Sequence, residues 1–113
     1  ADFYDRELSS VKGITIPMRS AASKHIFHQY TLKLNGIDRE ALRKYLESKG
    51  IPAMIYYPVP IHLQKAYQSY GYKKGDLPVT EKLAEQVLSL PMHTELDEEQ
   101  LSYICNEIKS FCK

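Results

Sequence analysis

The chain contains no tryptophan, only two cysteines, and no apolar run approaching the roughly 20 residues of a membrane span. Its charges never gather into blocks: 15 basic and 14 acidic residues are scattered along it, for a formal net charge of +1. A dedicated nucleic-acid surface and a polybasic membrane patch are thereby excluded. The first residues show no signal-peptide pattern, and the chain reads as cytoplasmic, with no membrane or nucleic-acid partner. Also missing are a glycine-rich phosphate loop, a metal cluster, a convincing catalytic triad, internal repeats and low-complexity segments.

The two cysteines are too few for a disulfide framework. Cys105 and Cys112 fall in what reads as one helix, which separates them by about 10.5 Å at roughly 1.5 Å per residue. A disulfide needs Cα atoms within about 7 Å. Both therefore read as small core hydrophobes, and no histidine or further cysteine stands nearby at metal-ligand spacing.

What the chain does hold is ordinary globular material. Its 113 residues are 43% hydrophobic and 26% charged, enough for one domain with a usable core. Residues 1–9 are charged and helix-tolerant and begin abruptly, like the cut end of a longer helix. Ile14, Ile16 and Pro17 make a short extended piece. From Ile26 to Leu34 the residues alternate, with Ile26, His28, Tyr30, Leu32 and Leu34 sharing one face of a half-buried strand.

Asn35-Gly36 turns the chain, and Asp38 caps a helix whose buried stripe is Ala41, Leu42, Tyr45 and Leu46. Gly50 ends it in a left-handed stop. A second strand is expected over Ile51–Tyr57, then a long connection with a short helix around Leu63–Tyr70 that stops at Gly71. Thr80 begins another helix, with Leu83, Ala84, Val87 and Leu88 inward. Asp97 and Gln100 form a capping box for the last helix, whose stripe is Leu101, Ile104, Cys105, Ile108, Phe111 and Cys112. This order is an α+β pattern: a two-layer domain, its short sheet covered by helices mainly on one face.

Candidate functional residues cluster in one stretch, "IYYPVPIHLQ", residues 55–64. Two tyrosines end an apolar run, two prolines forbid regular structure, and a histidine stands just beyond them. Tyr56, Tyr57 and His62 serve either packing or a ligand, and His62 could equally cap the short helix. His28 lies on the apolar face of its strand, where a packing role competes with a site role. Tyr67, Tyr70, Tyr72 and Tyr103 read as amphipathic packing residues. His25 and His93 flank turns, and no lysine reads as a desolvated nucleophile.

Three segments in order carry a resemblance: "FHQYTLKL", "REALRKYLESKGIPAMIYYPVPIHLQKAY" and "AEQVLSLPMHTELDEEQLSYICNEI". Together they resemble the C-terminal part of the DegT/DnrJ/StrS family of pyridoxal-phosphate-dependent nucleotide-sugar aminotransferases. In the third segment a short strand leads into the capped last helix. Tyr57 and His62 match the tyrosine and second histidine of the family's frequent "HYPxPLH" pattern. Tyr56 departs from it, standing where many members carry histidine. A phenol is neutral at pH 7 and cannot act as a cationic diphosphate partner, though stacking and hydrogen bonding stay open to it.

The resemblance implies a fold of the aspartate aminotransferase type (fold type I), with a large cofactor domain followed by this small one. Residues 1–12 would be the end of the helix linking the two, and 13–113 the C-terminal small domain. Full-length members use pyridoxal phosphate and move an amino group, usually from glutamate, onto a keto-sugar carried by a nucleotide diphosphate. They work as homodimers, and members serve surface polysaccharide or lipopolysaccharide biosynthesis. The lysine that carries the cofactor and most phosphate contacts belong to the large domain, so no catalytic, cofactor or metal residue is expected among these 113. Tyr57, His62, Tyr56 and His28 are the substrate-site candidates. A dehydratase of the same fold and a stand-alone binding module are the alternatives.

Overall fold

The computed structural model describes all residues 1–113. Chain order is α1 (Asp2–Leu8), β1 (Ile14–Thr15), β2 (Tyr30–Leu34), α2 (Arg39–Ser48), two short 3-10 turns (Ile61–Leu63 and Lys65–Tyr70), α3 (Pro78–Gln86), β3 (Val87–Leu90) and α4 (Glu98–Phe111). The three strands form one antiparallel sheet in the order β1-β2-β3. Register sets Tyr30 opposite Leu90 and Leu32 opposite Leu88. Because side chains alternate along a strand, these four share a face. That face joins Tyr4 and Leu8 of α1, Leu42 and Leu46 of α2, and Ile104, Cys105 and Ile108 of α4 in one core cluster. The α+β, two-layer expectation holds.

Helix ends follow the sequence closely. Asp38 accepts a hydrogen bond from the Ala41 amide at 3.0 Å. At the other end of α2 Gly50 takes φ +73°, and the Ile51 amide reaches back to the Leu46 carbonyl at 2.9 Å. That bond and the one from Gly50 to Glu47 close a Schellman stop, with Leu46 and Ile51 both buried beneath it. The capping box on α4 is complete: the Gln100 amide donates to Asp97 at 2.8 Å, and the Asp97 amide to Gln100 Oε1 at 3.2 Å. Cys105 is buried, Cys112 half-buried, and both are free thiols.

Four expectations are corrected. The first strand is shorter, because Phe27 adopts φ +47° and swings its ring inward. Ile26 is left 87% exposed and His28 stands on the surface rather than on an apolar face. Residues 51–57 are not a strand; only Met54 bridges to Ser89, with both amide bonds at 2.9 Å. Extending that register sets Pro52 opposite Pro91, and neither has an N–H to continue the ladder. Ile51 and Ala53 still alternate inward, so the apolar pattern is kept without the hydrogen bonds.

The third correction is at α3, which ends at Gln86; Val87 and Leu88 belong to β3, and Leu83 is exposed. The fourth is Ala41, exposed on α2, where Tyr45 instead packs on Phe111 at 5.3 Å and donates to Glu107 at 2.6 Å. No helix is long and apolar enough to cross a membrane.

Candidate functional site

After Met54 the chain leaves the sheet edge through the proline pair. Pro58 and Pro60 fix their φ near −65° and donate nothing, so this turn cannot join a ladder. It closes on itself instead: the Leu63 amide donates to the Pro60 carbonyl at 2.9 Å, and Gln64 Nε2 to the Val59 carbonyl at 3.2 Å. Tyr57 projects outward, 72% exposed, and Tyr56 is half-exposed. A second 3-10 turn comes next and stops at Gly71, which takes φ +80°.

His62 points the other way. It is 7% exposed, and its Nε2 lies 3.0 Å from Glu81 Oε1. Glu81, in the first turns of α3, also accepts from the Gly75 amide at 2.8 and 2.9 Å through both oxygens, and from the Leu77 amide at 3.3 Å. Burial opposes ionisation of Glu81, but the hydrogen bonds from Gly75, His62 and Leu77 outweigh it, and its carboxyl sits below the usual range. The Tyr72 ring meets the His62 imidazole edge-on, centroids 6.4 Å apart.

Around this pair lies an open cleft of ≈ 380 Å³ lined by Ile61, His62, Tyr67, Tyr70, Tyr72, Leu77 and Thr80. It is an aromatic hollow with one imidazole, three phenols and the Thr80 hydroxyl in its wall. Tyr57 and Tyr56 are not among the lining residues. His28 lies outside the cleft as well. Of the remaining histidines, Nδ1 of His25 accepts from the Phe27 amide at 2.8 Å, and Nδ1 of His93 from the Glu95 amide at 3.3 Å. Sequence reading missed Glu81. The signal was present, a glutamate inside the first turns of a helix opened by Pro78, but its partner His62 is 19 residues away.

Pyridoxal phosphate needs a lysine amine to hold its aldehyde and a cluster of donors for its phosphate. The cleft wall contains no lysine and no arginine. Lys49 is held by Glu107 at 3.5 Å, which raises its pKa, and Lys109 is held by Glu7 at 2.7 Å. Raised and paired ammonium groups are the opposite of a cofactor-binding amine. The lining of this cleft does not fit the cofactor.

Known proteins share both this sequence and this fold. The model of the DegT/DnrJ/EryC1/StrS aminotransferase family matches residues 1–109. A Geobacillus stearothermophilus protein named as a pleiotropic regulatory protein is 43% identical over 110 residues, covering 96% of this chain and 29% of that protein. The UDP-N-acetyl-3-dehydro-alpha-D-glucosamine 3-aminotransferase of Acidithiobacillus ferrooxidans is 43% identical over 96 residues, 85% of this chain and 25% of that one. Among solved structures, the DesV enzyme of Streptomyces venezuelae, in complex with a ketimine intermediate, superposes with TM-score 0.91 at 30% identity, covering 99% of this chain and 30% of that one. A Brucella abortus aminotransferase of the same family gives TM-score 0.85 at 37% identity over 96% of this chain and 28% of its own. The chain thus spans less than a third of the length of these relatives. The fold is that of a small domain of fold type I sugar aminotransferases. On this match, nearly end to end, the chain belongs to the DegT/DnrJ/EryC1/StrS aminotransferase family.

Proposed function

We propose that this chain is the C-terminal small domain of a pyridoxal-phosphate-dependent aminotransferase acting on a nucleotide-linked keto-sugar in surface polysaccharide or lipopolysaccharide biosynthesis. Residues 1–12 are then the end of the helix that joins it to a cofactor domain. The observation that carries this reading is family membership across residues 1–109, with several relatives named as UDP- or dTDP-sugar transaminases. The reaction moves an amino group from glutamate to the sugar carbonyl, leaving 2-oxoglutarate and an amino-sugar. The cofactor supplies the electron sink for that exchange and is held by residues outside this chain.

In this reading the 55–64 turn is part of the substrate site, in a homodimer. It combines a rigid proline frame with exposed rings, the arrangement that presents side chains to a ligand at little ordering cost. Tyr57 and His62 position the nucleotide-sugar, Tyr56 offers a stacking or hydrogen-bonding phenol, and none of them transfers a proton. His28, on the surface, is the outlying candidate.

The test uses the full-length protein carrying this chain. With pyridoxal phosphate, ¹⁵N-glutamate and UDP-N-acetyl-3-dehydro-α-D-glucosamine or a dTDP-linked keto-sugar, ¹⁵N should appear in the sugar product by mass spectrometry. Loss of a sugar hydroxyl without nitrogen transfer would show a dehydratase instead. Tyr57→Phe and His62→Ala should raise KM for the nucleotide-sugar about one to two decades, with the glutamate half-reaction nearly intact. Equal losses in both half-reactions would remove these residues from the substrate site.

A further inference from the structure

His62 and Glu81 stand at opposite ends of a connection rich in exposed rings, and their contact holds that connection closed. The Glu81 carboxylate ties together three pieces of chain: the 73–77 loop through the Gly75 and Leu77 amides, its own helix, and the His62 turn. Since Oε1 already accepts from two backbone amides, it meets His62 Nε2 as an acceptor too, and Nε2 carries the proton. No hydrogen bond engages Nδ1. The single buried side-chain polar atom without a partner is Arg39 Nε, so Nδ1 keeps contact with solvent. The imidazole is therefore buried, fixed at one nitrogen and free at the other, the arrangement of a ring whose orientation is set by its neighbour.

We propose that Glu81 is a positioning residue of the substrate site, locking the His62 ring through Nε2 so that Nδ1 is turned to the substrate. The proposal rests on the reading that the 55–64 turn forms part of that site. In its neutral form the ring then offers Nδ1 as an acceptor, which recognises a sugar hydroxyl or a base N–H of the nucleotide-sugar rather than a phosphate oxygen. Glutamate suits the role because both carboxylate oxygens are used: one takes the imidazole and the two amides, and the other takes Gly75 again. Glutamine keeps an oxygen for the first set but puts a donor NH2 where Oε2 accepted from Gly75. Alanine loses all of these contacts.

The test uses the full-length protein labelled with ¹⁵N-histidine at pH 8, with His62→Gln assigning the signal. The wild type should show a single fixed Nε2–H form; Glu81→Ala should show an exchanging mixture of both tautomers, and Glu81→Gln should keep the single form. In steady-state assays with UDP-N-acetyl-3-dehydro-α-D-glucosamine, Glu81→Ala should raise KM about tenfold at a nearly unchanged glutamate half-reaction. Glu81→Gln should restore most of that loss, and Glu81→Ala should add nothing to His62→Ala. A ring that stays a single, non-exchanging Nε2–H tautomer in Glu81→Ala, or additive effects of the two alanines, overturns the positioning role. Should Glu81→Ala fail to fold, Glu81→Gln decides: losing the Nε2–H form there overturns it as well. If the ring behaves as described while His62→Ala leaves KM unchanged, the lock stands and the substrate reading of the turn falls. Where that sugar is not turned over, the nitrogen signal alone decides for the lock.

Discussion

Tyr30 is the side chain through which the sheet holds the first helix, and Tyr30→Phe measures that hold. Its hydroxyl donates to Asp5 Oδ1 at 2.5 Å, while Asp5 Oδ2 accepts from Arg19 Nε at 2.7 Å. The ring is fully buried, packed on Tyr4 at 4.9 Å and Phe27 at 5.9 Å between centroids. Phenylalanine keeps the ring and its volume, so no cavity opens and the loss is one hydrogen bond to a charged acceptor, about 1.5–3 kcal/mol. Asp5 keeps its Arg19 partner and is 23% exposed, so water can replace the lost donor. The expected cost is therefore at the low end, about 1.5–2 kcal/mol.

Tyr4→Phe is the internal control. It gives up a neutral bond to the Pro91 carbonyl at 2.9 Å and should cost about 1 kcal/mol. Urea unfolding of the 113-residue domain at pH 7 gives both values by linear extrapolation, with unchanged slope. That pH is safe. Burial, then the Asp5 contact, raises the Tyr30 pKa above its unfolded value near 10.0, so its contribution is complete below pH 10 and fades only above it. A Tyr30→Phe cost below about 0.5 kcal/mol, within surface-substitution noise, or below that of Tyr4→Phe, would refute the reasoning.

Asp97→Ala removes the acceptor for the Gln100 amide and breaks the capping box. It should cost about 1 kcal/mol, read as a lowered Tm by calorimetry; an unchanged Tm would show that α4 is held by packing alone. The Glu7 carboxyl is depressed by its bond to Lys109, Glu107 by its bond to Tyr45, and Glu81 by hydrogen bonds that outweigh its burial. A depressed carboxyl contributes stability above its unfolded pKa and loses it as pH falls through the folded value. Stability should thus hold from pH 7 to 5 and decline below about 4.5; urea midpoints that rise toward pH 3 would contradict this. Finally, the isolated domain should fold yet not fix pyridoxal phosphate, because the cleft that contains His62 has no lysine in its wall to hold the aldehyde. Borohydride reduction that attached the cofactor stoichiometrically to one lysine would overturn that.

Local physics was legible without coordinates. Asp38, Gly50 and the Asp97–Gln100 box set helix ends through bonds spanning five residues or fewer, so their partners can be read in a short window. The α4 stripe was equally plain, since a 3.6-residue period survives whatever packs against it. Family kinship was carried by segments such as "YPVPIH", where prolines and rings leave few alternative conformations.

Only the tertiary structure decided where these pieces met. Alternation from Ile26 to Leu34 pointed to one strand, yet the left-handed Phe27 broke it and exposed His28. The apolar run after Gly50 pointed to another, yet Pro52 and Pro91, 39 positions apart in sequence, fall opposite each other and stop the ladder. His62 could be named from sequence, but not its burial, nor its contact with Glu81. Each of these depends on a partner distant along the chain. Sequence periodicity reports which side of an element is apolar; it does not report which residue will stand across from it.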